Sequence, residues 1–210
     1  MMQEISTKLQ AGNANAVAEL VTRAIEEGIS AETILKEGLM AGMDIIGCRF
    51  RDGQIFVPQV LMAARAMNRG AELLKPLLVR EGVGAAGRVC IGTVFGDLHD
   101  IGKNLVKMML EGKGFEVIDL GTNVPAERFV STAIEENCSL ICCSALLSTT
   151  MPVMGDVVRA AEAAGIRDRV KIMIGGAPVS EEFCRQIGAD CYTPDAAGAA
   201  EAALSLCGKA

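Results

Sequence analysis

Val89-Cys90-Ile91-Gly92-Thr93-Val94-Phe95-Gly96-Asp97-Leu98-His99-Asp100-Ile101-Gly102-Lys103-Asn104 is the stretch that decides how this chain folds. An apolar run over 89–94 stops at Gly96, passes into a polar loop, and gives way to helical spacing. That order is a buried strand feeding a helix. It recurs downstream, where 116–120, 140–144, 170–174 and a short piece near Cys191 are strand candidates separated by helical segments. Such alternation predicts an α/β domain, a doubly wound, flavodoxin-like, five-stranded parallel sheet with helices on both faces. Ligands of such sheets sit outside the carboxyl ends of the strands, so chemistry is expected in the loops after the first, third and fourth strands.

Upstream the pattern differs. The first 80 or so residues show helical periodicity and almost no strand signal, which predicts a four-helix-bundle cap over 1–81. Asn13 is placed to cap a helix ending at Gly28, with Val17, Leu20, Val21, Ala24 and Ile25 on one face. Ser30 caps a longer helix that aims Ile34, Leu35, Leu39, Met43, Ile46 and Phe50 at a core, and Arg51-Asp52-Gly53 turns the chain. Pro58 suits the first turn of the helix that follows. Gly82-Val83-Gly84-Ala85-Ala86-Gly87 has no periodicity and is expected to be a linker over 82–87, with the α/β domain occupying 88–210.

The 210 residues, half of them hydrophobic, suffice for two cores of about 100 residues each. A net charge of -6 argues against a nucleic-acid partner, which needs clustered Lys and Arg; with no Trp and a single Tyr, stacking platforms are lacking too. Met1-Met2-Gln3-Glu4 has no basic-then-apolar order, and the most apolar run, 140–147, is too short to span a bilayer. These features predict a cytoplasmic protein with no membrane partner. The eight cysteines lie in apolar stretches without any Cys-x-x-Cys, as expected of reduced thiols; with one histidine in the chain, a structural zinc site is not expected.

That histidine, His99, follows a strand end directly. Alone it reads as a polar residue at a helix start. Asp97, two residues earlier, changes the reading, because a carboxylate there can hold one ring nitrogen while the other faces outward as ligand or base. A phosphate loop is excluded by count: five residues separate Gly96 from Gly102 where four are needed, and Asn104 follows Lys103 where Ser or Thr is required. Ser144-Ala145-Leu146 closes the third strand and Gly175-Gly176 the fourth.

Taken together, Asp97-x-His99-x-x-Gly102, then 41 residues, Ser144-x-Leu146, then 28 residues, and Gly175-Gly176 resemble the signature of B12-binding domains. The first half is similar too. Gly42-Met43-Asp44-Ile45-Ile46-Gly47, the stretch from Asp52-Gly53-Gln54-Ile55-Phe56 to Pro58-Gln59-Val60, and Ala64-Arg65-Ala66-Met67 look like the helical cap of corrinoid methyltransferase proteins. The resemblance is to the small corrinoid proteins of methylamine, methanol, glycine betaine and aryl methyl ether systems, and to the cobalamin module of methionine synthase.

The resemblance implies cobalamin or a related corrinoid as cofactor, with His99 as lower axial ligand to cobalt. It further implies that Asp97 holds the far imidazole nitrogen and that Ser144 continues the hydrogen-bond chain. Gly96, Leu98, Asp100, Gly102, Leu146, Ser148, Gly175 and Gly176 are expected at the corrin or its nucleotide tail. Phe56, Val60 and Met67 of the cap are expected to shield its upper face. The implied function is a methyl shuttle between cob(I)alamin and methylcob(III)alamin, not catalytic alone. Its implied partners are a substrate-specific methyltransferase, a second methyltransferase with a pterin or thiol acceptor, and a reductive activating protein. A B12 subunit of a radical isomerase shares the second-half signature but not the cap, and a B12-dependent regulator would need a DNA-binding module that is not recognisable here.

Overall fold

The computed structural model describes residues 1–208. They divide into two compact units, Met1–Ala85 together with Gly112–Gly114, and Ala86–Glu111 together with the chain from Phe115 onward. No helix among the described residues is long and apolar enough to cross a membrane.

The first unit is helical. Helix α1 (Met2–Gln10) buries Ile5 and Leu9, and α2 (Ala14–Glu26) starts at Asn13, whose side chain accepts a hydrogen bond from the N–H of Ala16. Val17, Leu20, Val21 and Ala24 form its buried stripe, and Gly28 ends it in the left-handed region at φ 78°. Ser30 caps α3 (Ala31–Thr33), which continues without a break through a π-helical segment (Ile34–Met40) into α4 (Ala41–Arg51). These three pieces act as one long helix, and Ile34, Leu39, Met43 and Ile46 are its buried residues, while Leu35 and Phe50 are half-buried. Helix α5 (Val57–Glu81) begins with Pro58 in its first turn and ends at Gly82, which is left-handed at φ 70°. Four helical rods around a shared apolar core make the predicted bundle. Each fully buried Leu or Ile contributes about 1.5–3 kcal/mol.

The second unit alternates strand and helix. Strands β1 (Arg88–Thr93), β2 (Glu116–Asp119), β3 (Leu140–Ser144), β4 (Lys171–Gly175) and β5 (Cys191–Tyr192) pair in parallel in the order β2-β1-β3-β4-β5. Helices α6 (Ile101–Gly112), α7 (Ala126–Glu135), α8 (Pro152–Ala163), α9 (Glu181–Ile187) and α10 (Ala196–Leu206) connect and flank them. On one face Cys90, Ile141, Cys143, Ile172 and Ile174 pack with Phe129 and Val130 of α7, Met154, Val157 and Val158 of α8, and Cys184 of α9. The alternate strand residues Val89, Ile91, Leu140, Cys142 and Met173 are also buried and point the other way, leaving α6 and α10 to cover that face. All eight cysteines are free thiols, five of them buried, and serve as small apolar side chains.

The strand order reverses between β1 and β3. One crossover leaves β1 toward β2 and the next returns past β1 to β3, so the loops following β1 and β3 diverge and open a crevice at the carboxyl edge.

Candidate functional site

The crevice is built on the β1 to α6 loop. Thr93, wholly buried at the end of β1, donates its hydroxyl to the carbonyl of His99 at 2.8 Å, which folds the loop back on its own strand. Gly96 makes the bend in the left-handed region, at φ +84°. Val94 N–H donates to the Ser144 carbonyl at 3.0 Å, joining the β1 loop to the end of β3.

Asp97 is the hub. It has no exposed surface, yet its carboxylate is fully satisfied. Oδ1 accepts from the His99 backbone N–H at 3.1 Å and faces ring Nδ1 at 2.8 Å. Oδ2 accepts from the N–H groups of Leu146 and Leu147 at 2.8 and 3.1 Å, and from the Thr150 hydroxyl at 2.9 Å. Burial alone would push this carboxyl up, but the hydrogen bonds from the His99 ring and backbone and from Leu146 and Leu147 outweigh it and hold it well below the usual carboxylate range. An ionised carboxylate has no proton to give, so Nδ1 must be the donor. In the neutral tautomer Nε2 then carries the lone pair, and the ring is half exposed with no hydrogen-bond partner for that nitrogen among the described residues.

One expectation needs correction. The hydroxyl that extends the His99 and Asp97 chain belongs to Thr150, not Ser144. Ser144 enters the site through its carbonyl and its ladder positions opposite Thr93 and Gly175, and its side chain does not reach Asp97. The β3 loop places Thr150 over Asp97 because it curls back through a turn, in which Thr150 N–H bonds the Leu147 carbonyl, before α8 starts. A hydroxyl six residues after Ser144, just ahead of Pro152, is the sequence signal that marks it. Thr93 and Leu147, which position the histidine, were also not anticipated.

The remaining predicted residues fall into three groups. Leu146 donates its backbone N–H to Asp97, and the Gly175 carbonyl accepts from the Ala145 N–H. Gly176, at φ +134°, is unavoidable, since a Cβ there would lie 1.8 Å from the Ala145 carbonyl oxygen. A second group lies on open surface. Leu98 is 73% exposed and Ile101 is 72% exposed, with Phe95, Leu146 and Leu147 forming further apolar surface beside His99. Asp100 and Ser148 are exposed, Asp100 accepting from the Asn104 side chain, and a Cβ on Gly102 would meet nothing. The third group belongs to the first unit, where Phe56 is exposed but Val60 and Met67 are buried. Of those three, only Phe56 has side-chain surface to offer a ligand.

This arrangement fits a flat macrocycle with an axial imidazole. An outward imidazole nitrogen rises from an apolar floor that water would not favour, and the glycine at 176 lets the end of β4 lie directly against the Ala145 backbone.

Comparison with known proteins agrees along the whole chain. A family model described as a B12 binding domain matches residues 87–204, and a second of the same description matches residues 1–75. The chain is 41% identical over 207 residues to dimethylamine corrinoid protein 1 of Methanosarcina acetivorans, covering 98% of this chain and 97% of that relative. It is similar to a chain in the crystal structure of the methanol:cobalamin methyltransferase complex of Methanosarcina barkeri, with TM-score 0.86 and 31% identity over 99% of this chain and 79% of that one. A cobalamin-binding protein from Desulfitobacterium hafniense matches with TM-score 0.81 and 30% identity over 98% of each chain. With its helical first half and its His99 crevice both accounted for, the chain belongs to the B12-binding corrinoid proteins, and its cofactor is cobalamin or a related corrinoid.

Proposed function

We propose that this chain is a methyl carrier in which His99 Nε2 would hold the cobalt of the corrinoid. When bound, the corrinoid would supply the chemistry, a cobalt centre able to take a methyl group from one partner and give it to another. The observation that carries the reading is the His99 ring itself, held at Nδ1 by a buried, ionised Asp97 and free at Nε2 on an open apolar surface.

The chain's residues would support that cycle by holding the ring. Asp97 grips Nδ1 across the 2.8 Å contact, which leaves Nε2 aimed outward. Thr150 and the N–H groups of Leu146 and Leu147 hold the carboxylate in place. Gly96, Leu98, Asp100, Gly102, Leu146, Ser148, Gly175 and Gly176 line the route taken by the corrin or its tail. In this reading residues 1–81 are the cap, 82–87 the linker and 88–210 the corrinoid domain.

The partners follow from the carrier role. A substrate-specific methyltransferase loads the cobalt, and the relatives named for dimethylamine and methanol make methylamines and methanol the leading donor classes. A second methyltransferase delivers the methyl group to a pterin or thiol, and a reductive activating protein restores cobalt that has been oxidised. The work is done in the cytoplasm.

The test is electron paramagnetic resonance of the Co(II) form bound to nitrogen-15-labelled protein. Ligation by His99 splits the cobalt lines into doublets, and His99→Ala abolishes them; triplets from the cofactor's own base in the wild type would refute the ligand assignment. Methyl transfer between small molecules by the loaded protein alone, at a physiological rate, would refute the carrier role.

A further inference from the structure

The turn from β2 to α7 grips the histidine loop. Asn123 is one of two non-glycine residues among those described with positive φ, at 56°. Its backbone N–H donates to the Asp97 carbonyl at 2.9 Å, and its side-chain Oδ1 accepts from the Gly96 N–H at 2.8 Å. One residue thus holds the N–H of the peptide entering Gly96 and the carbonyl of the peptide leaving Asp97. The same turn holds the end of β1, where Thr93 N–H donates to the Gly121 carbonyl and Val124 N–H donates to the Thr93 carbonyl. At the far end of the loop, Asp119 accepts from the buried Lys103 in the first turn of α6 at 2.6 Å. Asparagine enters the left-handed region more readily than other side chains, and here that conformation turns both its N–H and its Oδ1 to the histidine loop.

We infer that Asn123 is a positioning residue for cobalt ligation: by bridging the Gly96 N–H and the Asp97 carbonyl it fixes the direction in which His99 presents Nε2. The inference rests on His99 being the ligand. Asn123→Gly is the informative change, because glycine adopts the left-handed backbone without strain and still offers its N–H to Asp97, while the side chain that carries Oδ1 is gone. Asn137→Gly is the matched control, as Asn137 is also left-handed, at φ 51°, but its N–H bonds Ile134 and it does not touch the histidine loop.

The experiment uses the full nitrogen-15-labelled chain loaded with cob(II)alamin, titrated with unlabelled imidazole while the doublet from the protein is replaced by the triplet from the added base. Loss of one net hydrogen bond predicts that Asn123→Gly gives way at roughly tenfold less imidazole than the wild type. Amide exchange at Gly96 in the cofactor-free protein should quicken in the same variant, with Asn137→Gly unchanged in both. A midpoint for Asn123→Gly within about twofold of wild type, or an equal shift in Asn137→Gly, overturns the inference. Absence of the doublet in the wild type brings down the ligand assignment itself, which separates the two failures.

Discussion

Replacing Asp97 by Asn changes one atom and should reverse the polarity of the histidine. The carboxylate receives three donors at Oδ2, from Leu146, Leu147 and Thr150, and faces the His99 backbone N–H and ring Nδ1 at Oδ1. An amide has a single oxygen. Set at the Oδ2 position it keeps three bonds and turns its NH2 toward His99, where Nδ1 can meet it only as an acceptor. The ring proton must then move to Nε2, the nitrogen needed by cobalt. Recovering the ligating tautomer forfeits a hydrogen bond to a charged group, about 1.5–3 kcal/mol, which is roughly a ten- to hundredfold weakening. The assay is the imidazole displacement of the Co(II) doublet in labelled protein, read beside thermal unfolding to confirm that Asp97→Asn folds. Wild-type resistance to displacement in a folded Asp97→Asn protein would refute the claim that the carboxylate sets the tautomer.

Three further outcomes follow from the same geometry. Thr150→Val removes one donor from Asp97 Oδ2 while leaving that oxygen two N–H groups, so a loss near the lower end of the range for charged acceptors, about 1.5 kcal/mol, is expected in urea unfolding; Ser144→Ala, whose hydroxyl does not reach Asp97, should cost less. Gly176→Ala forces a Cβ into the Ala145 carbonyl at φ +134° and should destabilise by about 3 kcal/mol or more and weaken cobalamin binding, both measurable by thermal unfolding with and without cobalamin. Against the opposing effect of burial, Asp97 is held below its ordinary range by the His99 ring and backbone and by the N–H groups of Leu146 and Leu147, and Asp119 by Lys103, Gly121 and Lys107. A depressed folded-state pKa gives stability that is complete above the unfolded value of about 3.9 and is lost as the pH falls through the folded value. Urea midpoints should therefore hold at neutral pH and drop steeply below about pH 4, less steeply in Asp97→Asn; a flat acid limb would contradict the hydrogen-bonded carboxylates.

Much of this protein is legible in its sequence because periodicity and chain punctuation are local. The apolar runs at 89–94 and 140–144 can only be buried strands, Asn13 and Ser30 announce their helices, and Gly28 and Gly53 end theirs in the left-handed region. The pairing of Asp97 with His99 is equally local, since two residues on one bend are bound to meet. Thr150, Leu147 and Asn123 are another matter. They stand 53, 50 and 26 positions from Asp97 in the chain, and nothing in their neighbourhood says that they converge on it. Ser144 was the natural candidate for the third member of the chain because it ends the strand beside Thr93, yet a strand end fixes only where the backbone stops; where the next hydroxyl lands depends on how the loop curls. Likewise Val60 and Met67 share the character of Phe56 in sequence, and only packing decides that they are buried and Phe56 is not. The sequence by itself determined the elements, their order and the outward nitrogen's owner, because those depend on residue type and spacing along the chain. The tertiary structure decided which distant groups close around the carboxylate, because a buried charge takes its donors from whatever backbone the fold brings within reach.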